Sequence, residues 1–113
     1  MNRGAAAEAL AASYLAACGL TIVHRNYRCR GGEIDLVARD GEMLVFVEVR
    51  LRRNREFGTA AESITAAKRR RLRLAARHYL ARLGREPPCR FDAVLLDALE
   101  TENIEWLRGV EGI

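Results

Sequence analysis

At 113 residues the chain is long enough for one domain with a buried core and too short for two of ordinary size, so residues 1–113 are read as one unit. Half of the residues are hydrophobic and 30% are charged, which excludes an intrinsically disordered chain. The net charge of +4 rests almost wholly on arginine, because Lys68 is the single lysine, and it suits nucleic acid as a partner without requiring it.

Ala5 to Cys18 is a run of strong helix formers that stops at Gly19, which predicts a first helix. Leu20 to Arg28 switches to β-branched and aromatic residues and breaks at Gly31-Gly32, which predicts a strand. EIDLVAR, an Asp40-Gly41 turn and MLVFVEVRL then predict a β-hairpin. After an arginine-rich loop, Arg52 to Thr59, a helix is expected from about Ala60 to Leu83, ended by Gly84 and Pro87-Pro88. FDAVLLDAL and NIEWLRG complete the pattern as a fourth strand and a short fifth. Helix, three strands, helix and two strands imply an α/β fold, a mixed sheet with helices packed on it.

Cys18, Cys29 and Cys89 show no CxxC or Cys/His ligand spacing, so neither a disulfide framework nor a zinc site is expected and a reducing cytoplasm is the simplest setting. The opening small-residue stretch carries Glu8 and makes a poor signal peptide, and no run reaches the length of a membrane span, so no membrane partner is expected. His24 and His78 have no partner at metal-ligand spacing and receive no role; Asn26 reads as a turn residue and Tyr27 as core.

The informative segment is the hairpin. With Asp40-Gly41 at its turn, numbers facing each other sum to about 81, which sets Glu33 opposite Glu48 and Asp35 opposite Phe46. One face then carries Glu33, Asp35, Glu48 and Arg50, and the other Ile34, Leu36, Val45, Val47 and Val49. Asp35 and Glu48 fall on a cross-strand diagonal of ~7–8 Å, within reach of one ion. Two readings stay open: a solvated amphipathic hairpin neutralised by Arg50, or a carboxylate pair that holds Mg²⁺ with waters and phosphate oxygens. Phe46 on the same face speaks against free exposure.

An Asp on one strand followed by Glu-x-Lys on the next resembles the PD-(D/E)XK nuclease superfamily, here Asp35 and Glu48-Val49-Arg50. Gly4 with Glu8, RNYR at 25–28, GGEIDLVA at 31–38, VFVEVR at 45–50, Gly58, Lys68 and RFD at 90–92 resemble, in order and spacing, the YraN family of small bacterial proteins, similar to archaeal Holliday-junction resolvases. The resemblance implies a restriction-endonuclease-like three-layer fold and phosphodiester hydrolysis with Mg²⁺ or Mn²⁺. Asp35 and Glu48 would hold the metal, and Glu8 would approach from the first helix, unless it is only a helix-start acid. Junction resolvases act as dimers, so a homodimer is expected, with the tail around Trp106 and Val110 as its candidate surface.

Arg50 departs from that pattern, since the family has lysine there, and Leu51 stands where threonine is usual. Arginine can clamp a phosphate but cannot accept a proton from water. Lys68 could supply the missing ammonium or be a surface lysine, and Asp92 reads as a structural partner for an arginine or a secondary site residue. Arg52, Arg53 and Arg55 beside the site, and Arg69, Arg70, Arg73 and Arg77 along the second helix, are candidate phosphate contacts. Three functions follow: a nuclease acting on DNA, including branched DNA; a catalytically weakened nucleic-acid-binding module; and an interaction protein whose basic face binds an acidic partner.

Overall fold

The computed structural model describes residues 3–51, 64–97 and 104–111. Helix α1 (Arg3–Ala17) precedes strands β1 (Thr21–Cys29), β2 (Gly32–Asp40) and β3 (Met43–Leu51), followed by helix α2 (Ala66–Leu83), β4 (Cys89–Leu96) and β5 (Ile104–Leu107). The five strands form one mixed sheet in the order β1-β2-β3-β4-β5. β3 and β4 are parallel and the other neighbours antiparallel, as expected where a helix crosses over between two strands. The element order and the two flanking helices are those expected from the sequence. Among the described residues no helix is long and apolar enough to cross a membrane.

Each helix covers one face of the sheet. Ala7, Ala11, Ala12 and Leu15 of α1 pack on Leu36, Ala38, Val45, Val47, Val94 and Leu96, and the small alanines let this helix lie close to the strands. Leu72, Ala75 and Ala76 of α2 pack on Tyr27, Ile34, Val37, Leu44 and Phe46. Phe46 is fully buried there, so the strand that carries Glu48 has apolar neighbours on both faces, and this one side chain contributes ~2–3 kcal/mol. α2 starts at Thr65, whose side chain accepts from the Lys68 backbone N–H, one turn after the point to which the sequence extended the helix; residues 60–63 lie outside the described residues. The helix also passes unusually close to β2: a Cβ on Gly32 would stand 2.7 Å from the Arg71 carbonyl oxygen and 2.9 Å from the Ala75 nitrogen.

The hairpin register differs from the expectation. Asp40 pairs with Met43 and Leu36 with Val47, so facing numbers sum to 83. The loop is Gly41-Glu42 rather than Asp40-Gly41, with Gly41 at φ 61°, and glycine at the first loop position is the pattern of a two-residue type II′ turn. Asp35 and Glu48, one step beyond the last paired residues, therefore face each other directly instead of diagonally. Glu33 no longer opposes Glu48. It pairs with Arg28 on β1 and lies exposed near the guanidinium groups of Arg28 and Arg71.

Asp92, wholly buried on β4, ties down the C-terminal segment. It accepts from Arg90 Nε, from Trp106 Nε1 at 3.0 Å and from the Gly109 backbone N–H at 2.9 Å, while Arg90 also reaches Asp40 at 3.0 Å. Val110 donates its backbone N–H to the Phe91 carbonyl, and Tyr14 meets the Trp106 ring edge-on. Trp106 and Val110, expected as a surface for a second copy, are thus engaged within the chain. The structural reading of Asp92 is the one this geometry supports.

Candidate functional site

Strict alternation fails in both β1 and β2 at one level of the sheet. Leu36 faces α1, but Ile34 faces α2 instead of joining it, so β2 turns over at Asp35. Asn26, which lies opposite Asp35 between the pairs Arg25↔Leu36 and Tyr27↔Ile34, has φ 51°, the one left-handed non-glycine residue among those described. Such a conformation is costly for a side-chain-bearing residue, though least so for asparagine. Its effect is to release Asp35 from the face it would otherwise occupy. The Asp35 carboxylate turns toward β3 and accepts the Val49 backbone N–H at 2.7 Å, occupying a place that a strand-to-strand bond would otherwise fill.

Glu48 is thereby set against Asp35 in a nearly water-free position, only 8% exposed. The two carboxyl groups lie close enough to influence each other's ionisation. Burial and the Asp35 charge push the Glu48 carboxyl up to about 8, with Lys68 opposing the rise. Asp35 is also raised, chiefly by burial, while the Val49 N–H holds it back. Near neutral pH burial and mutual repulsion favour one proton held by the pair, because two buried carboxylates side by side do not both ionise.

Two further groups converge from the helices. Lys68 Nζ, in the first turn of α2, stands 3.7 Å from Glu48 Oε1. Lys68 thus reaches toward the sheet, the position required by the less favoured of its two sequence readings. From α1, Glu8 comes close to Asp35 and Asn26, and burial together with the Asp35 charge raises its pKa while Asn26 opposes the rise. Glu8 Oε1 is buried without a hydrogen-bond partner among the described residues, as is Arg50 Nε. Asn26 went unrecognised in the sequence, because nothing in RNYR signals a left-handed residue inside a strand.

The two-carboxylate set can be tested as a metal site on its own chemistry. Magnesium takes one or two carboxylates and fills its remaining positions with water and phosphate oxygens. A proton held between Asp35 and Glu48 marks the place where such a cation would relieve the same repulsion. The residues fit, although no group of three or more His, Cys, Asp or Glu side chains disposed to hold an ion occurs among the described residues.

The candidate phosphate contacts divide. Arg70 and Arg77 are exposed on α2, and Arg73 is half-buried. Arg69 is committed to the fold, with Nε donating to the Ile64 carbonyl at 3.2 Å and Nη1 to the Glu111 carbonyl at 2.6 Å. Arg52, Arg53 and Arg55 lie outside the described residues.

A family model described as "Uncharacterised protein family UPF0102" matches residues 7–96. A UPF0102 protein of Nitrosospira multiformis is 59% identical over 106 residues, covering 94% of this chain and 89% of its own. One from Cupriavidus taiwanensis is 63% identical over 108 residues, covering 94% and 79%, and one from Methylobacillus flagellatus is 56% identical over 102 residues, covering 90% and 89%.

Proposed function

The chain belongs to the UPF0102 (YraN) family, and from the geometry of its carboxylate pair we propose that it is a metal-dependent nuclease that hydrolyses phosphodiester bonds in nucleic acid, DNA first among its substrates. The observation that carries this reading is the convergence of Asp35, Glu48 and Lys68 from β2, β3 and α2 on one buried spot of a basic protein. The PD-(D/E)XK resemblance, restriction-endonuclease-like in fold, supports it by analogy only.

Asp35 and Glu48 would hold the divalent cation, Mg²⁺ or Mn²⁺. Bound there, the ion supplies a water of lowered pKa and neutralises charge on the scissile phosphate. The Lys68 ammonium donates to the attacking water or to a non-bridging phosphate oxygen, a preorganised donor where negative charge develops. Glu8 Oε1, buried and otherwise without a hydrogen-bond partner among the described residues, accepts a hydrogen bond from water on the α1 side. Arg50 adds positive potential at the phosphate.

Loss of catalysis, with nucleic-acid binding retained, is the second reading, and Arg50 is what favours it. Lys68 beside Glu48 weakens that argument. The test is cleavage of labelled four-way-junction, flap, single-stranded and duplex DNA with Mg²⁺ or Mn²⁺, beside Glu48→Ala and Asp35→Ala. Cleavage by the wild type that both substitutions abolish is expected. Cleavage unchanged in Glu48→Ala would remove the site, and intact binding with no cleavage by any protein would leave the binding module.

A further inference from the structure

A second feature of the same layer is built as deliberately as the carboxylate pair, and the hydrolytic reading does not use it. Between Ile22 and His24 the pairing of β1 with β2 shifts by one residue, leaving Val23 as an exposed bulge. Bulges re-aim side chains. Here the shift pairs His24 with Val37, a residue of the α2-side core, and brings its imidazole onto that face. Asn26, three residues from the bulge, does the same for Tyr27. Two irregularities in one nine-residue strand therefore place two rings beside Tyr79 of α2.

The rings are fixed in an edge-to-face cluster. His24 lies 5.5 Å from Tyr27 and 6.3 Å from Tyr79 between ring centroids, and Tyr27 lies 5.0 Å from Tyr79. The Tyr27 hydroxyl is hydrogen-bonded with His78 Nδ1, which locks that ring. His24, Tyr27, Tyr79, Arg82 and Leu83 line an open cleft of about 220 Å³, so three rings, one aliphatic side chain and one arginine border it. Rigid rings beside a cation are the combination on which unstacked bases settle, the ring taking the base and the arginine an adjoining phosphate.

The cleft is also placed to be filled by the strand that would reach Lys68. Lys68, Arg71, His78 and Arg82 follow one another on α2 at intervals of three, seven and four residues, so they share an edge of the helix. Arg71, His78 and Arg82 are exposed along that edge. Tyr79 is eleven residues from Lys68, about 16 Å along the axis. An extended strand covers that distance in a few nucleotides.

We propose that the cleft between β1 and α2 is a subsite for one unstacked nucleobase of the strand whose backbone lies at Asp35, Glu48 and Lys68, with Arg82 on a neighbouring phosphate. This rests on the nuclease reading for its substrate class and adds what that reading lacks: contact with a base rather than with backbone alone. The subsite favours single-stranded, frayed or flapped segments, because a base inside a duplex is already stacked.

The test is binding without cleavage. Affinities are measured in the absence of divalent cations for a short single-stranded oligodeoxynucleotide and for an abasic oligonucleotide of the same length, which keeps the phosphates and lacks the bases. The wild type should prefer the base-bearing strand by ~5-fold or more, the lower end of what one stacked base supplies. His24→Ala, at an exposed ring, should bring the ratio close to one, while Arg70→Gln, at an exposed arginine outside the cleft, should weaken both strands alike and keep the ratio. Equal affinity of the wild type for the two strands, or a preference that survives His24→Ala, overturns the subsite even if cleavage under Mg²⁺ is robust. A His24-dependent preference with no cleavage under Mg²⁺ keeps the subsite and removes the hydrolytic reading.

Discussion

Glu48→Gln replaces a carboxyl that the fold keeps protonated with a neutral group of the same shape. Glu48 is raised from 4.5 to about 8, which at ~1.36 kcal/mol per pH unit amounts to about 5 kcal/mol of opposition to its ionisation. Between those two values the unfolded chain has lost the proton and the folded chain still holds it. Wild-type stability should therefore fall as pH rises from about 4.5 to about 8 and level off above that. The glutamine variant, which has no group to titrate at this position, lacks this fall. The two proteins should be equally stable near pH 4, and the variant more stable by ~2–5 kcal/mol at pH 9, the lower figure applying if Asp35 takes part of the titration. Urea unfolding followed by circular dichroism at a series of pH values reads the difference directly. Added Mg²⁺ should stabilise the wild type by about 2.7 kcal/mol at a hundred times its dissociation constant, and the variant by less. Parallel pH profiles for the two proteins would refute the shared-proton arrangement.

Lys68→Ala should lower the cleavage rate ~10²-fold or more with the fold intact, whereas Arg50→Lys should change it only a few-fold, because Lys68 already faces Glu48; a large gain from Arg50→Lys in single-turnover assays would contradict this. Asn26→Gly should leave thermal stability nearly unchanged, since glycine accepts the φ of 51°, whereas Asn26→Val should destabilise by ~1–3 kcal/mol in the same melting experiment. Asp92→Ala should cost ~3–5 kcal/mol in chemical denaturation, because it strands the partly buried Arg90 together with the Trp106 and Gly109 donors.

The element order was legible because its signals are local: small helix formers up to Cys18, β-branched runs between glycines, and a proline pair after α2. Register was less so. Asp40-Gly41 reads as the centre of the turn, whereas the loop is Gly41-Glu42 with the glycine in the first place of a II′ turn, and that shift moves Asp35 from a diagonal to a facing position against Glu48. Face assignment failed at Ile34 for a related reason: alternation presumes uniform strands, and β2 turns over where Asn26 takes a left-handed conformation opposite it. The acids themselves were visible as charges inside apolar strands. Lys68 was legible only as one of two alternatives, because twenty positions of chain separate it from Glu48 and only the docking of α2 brings them together.

That docking has a mechanical side. Gly32 is where the Arg71–Ala75 turn of α2 rests on β2, three residues before Asp35 and one helical turn from Lys68. It behaves as a shim of zero thickness under a stiff beam. Any side chain there would have to lift the beam, since the atoms it meets are backbone, and the lift would reach the lysine at the end of the same rigid segment. The 3.7 Å gap between ammonium and carboxyl is thus gauged from outside the site, by a residue with no chemistry of its own. Tolerances at a reacting centre can in this way be held by the absence of a methyl group several ångströms away.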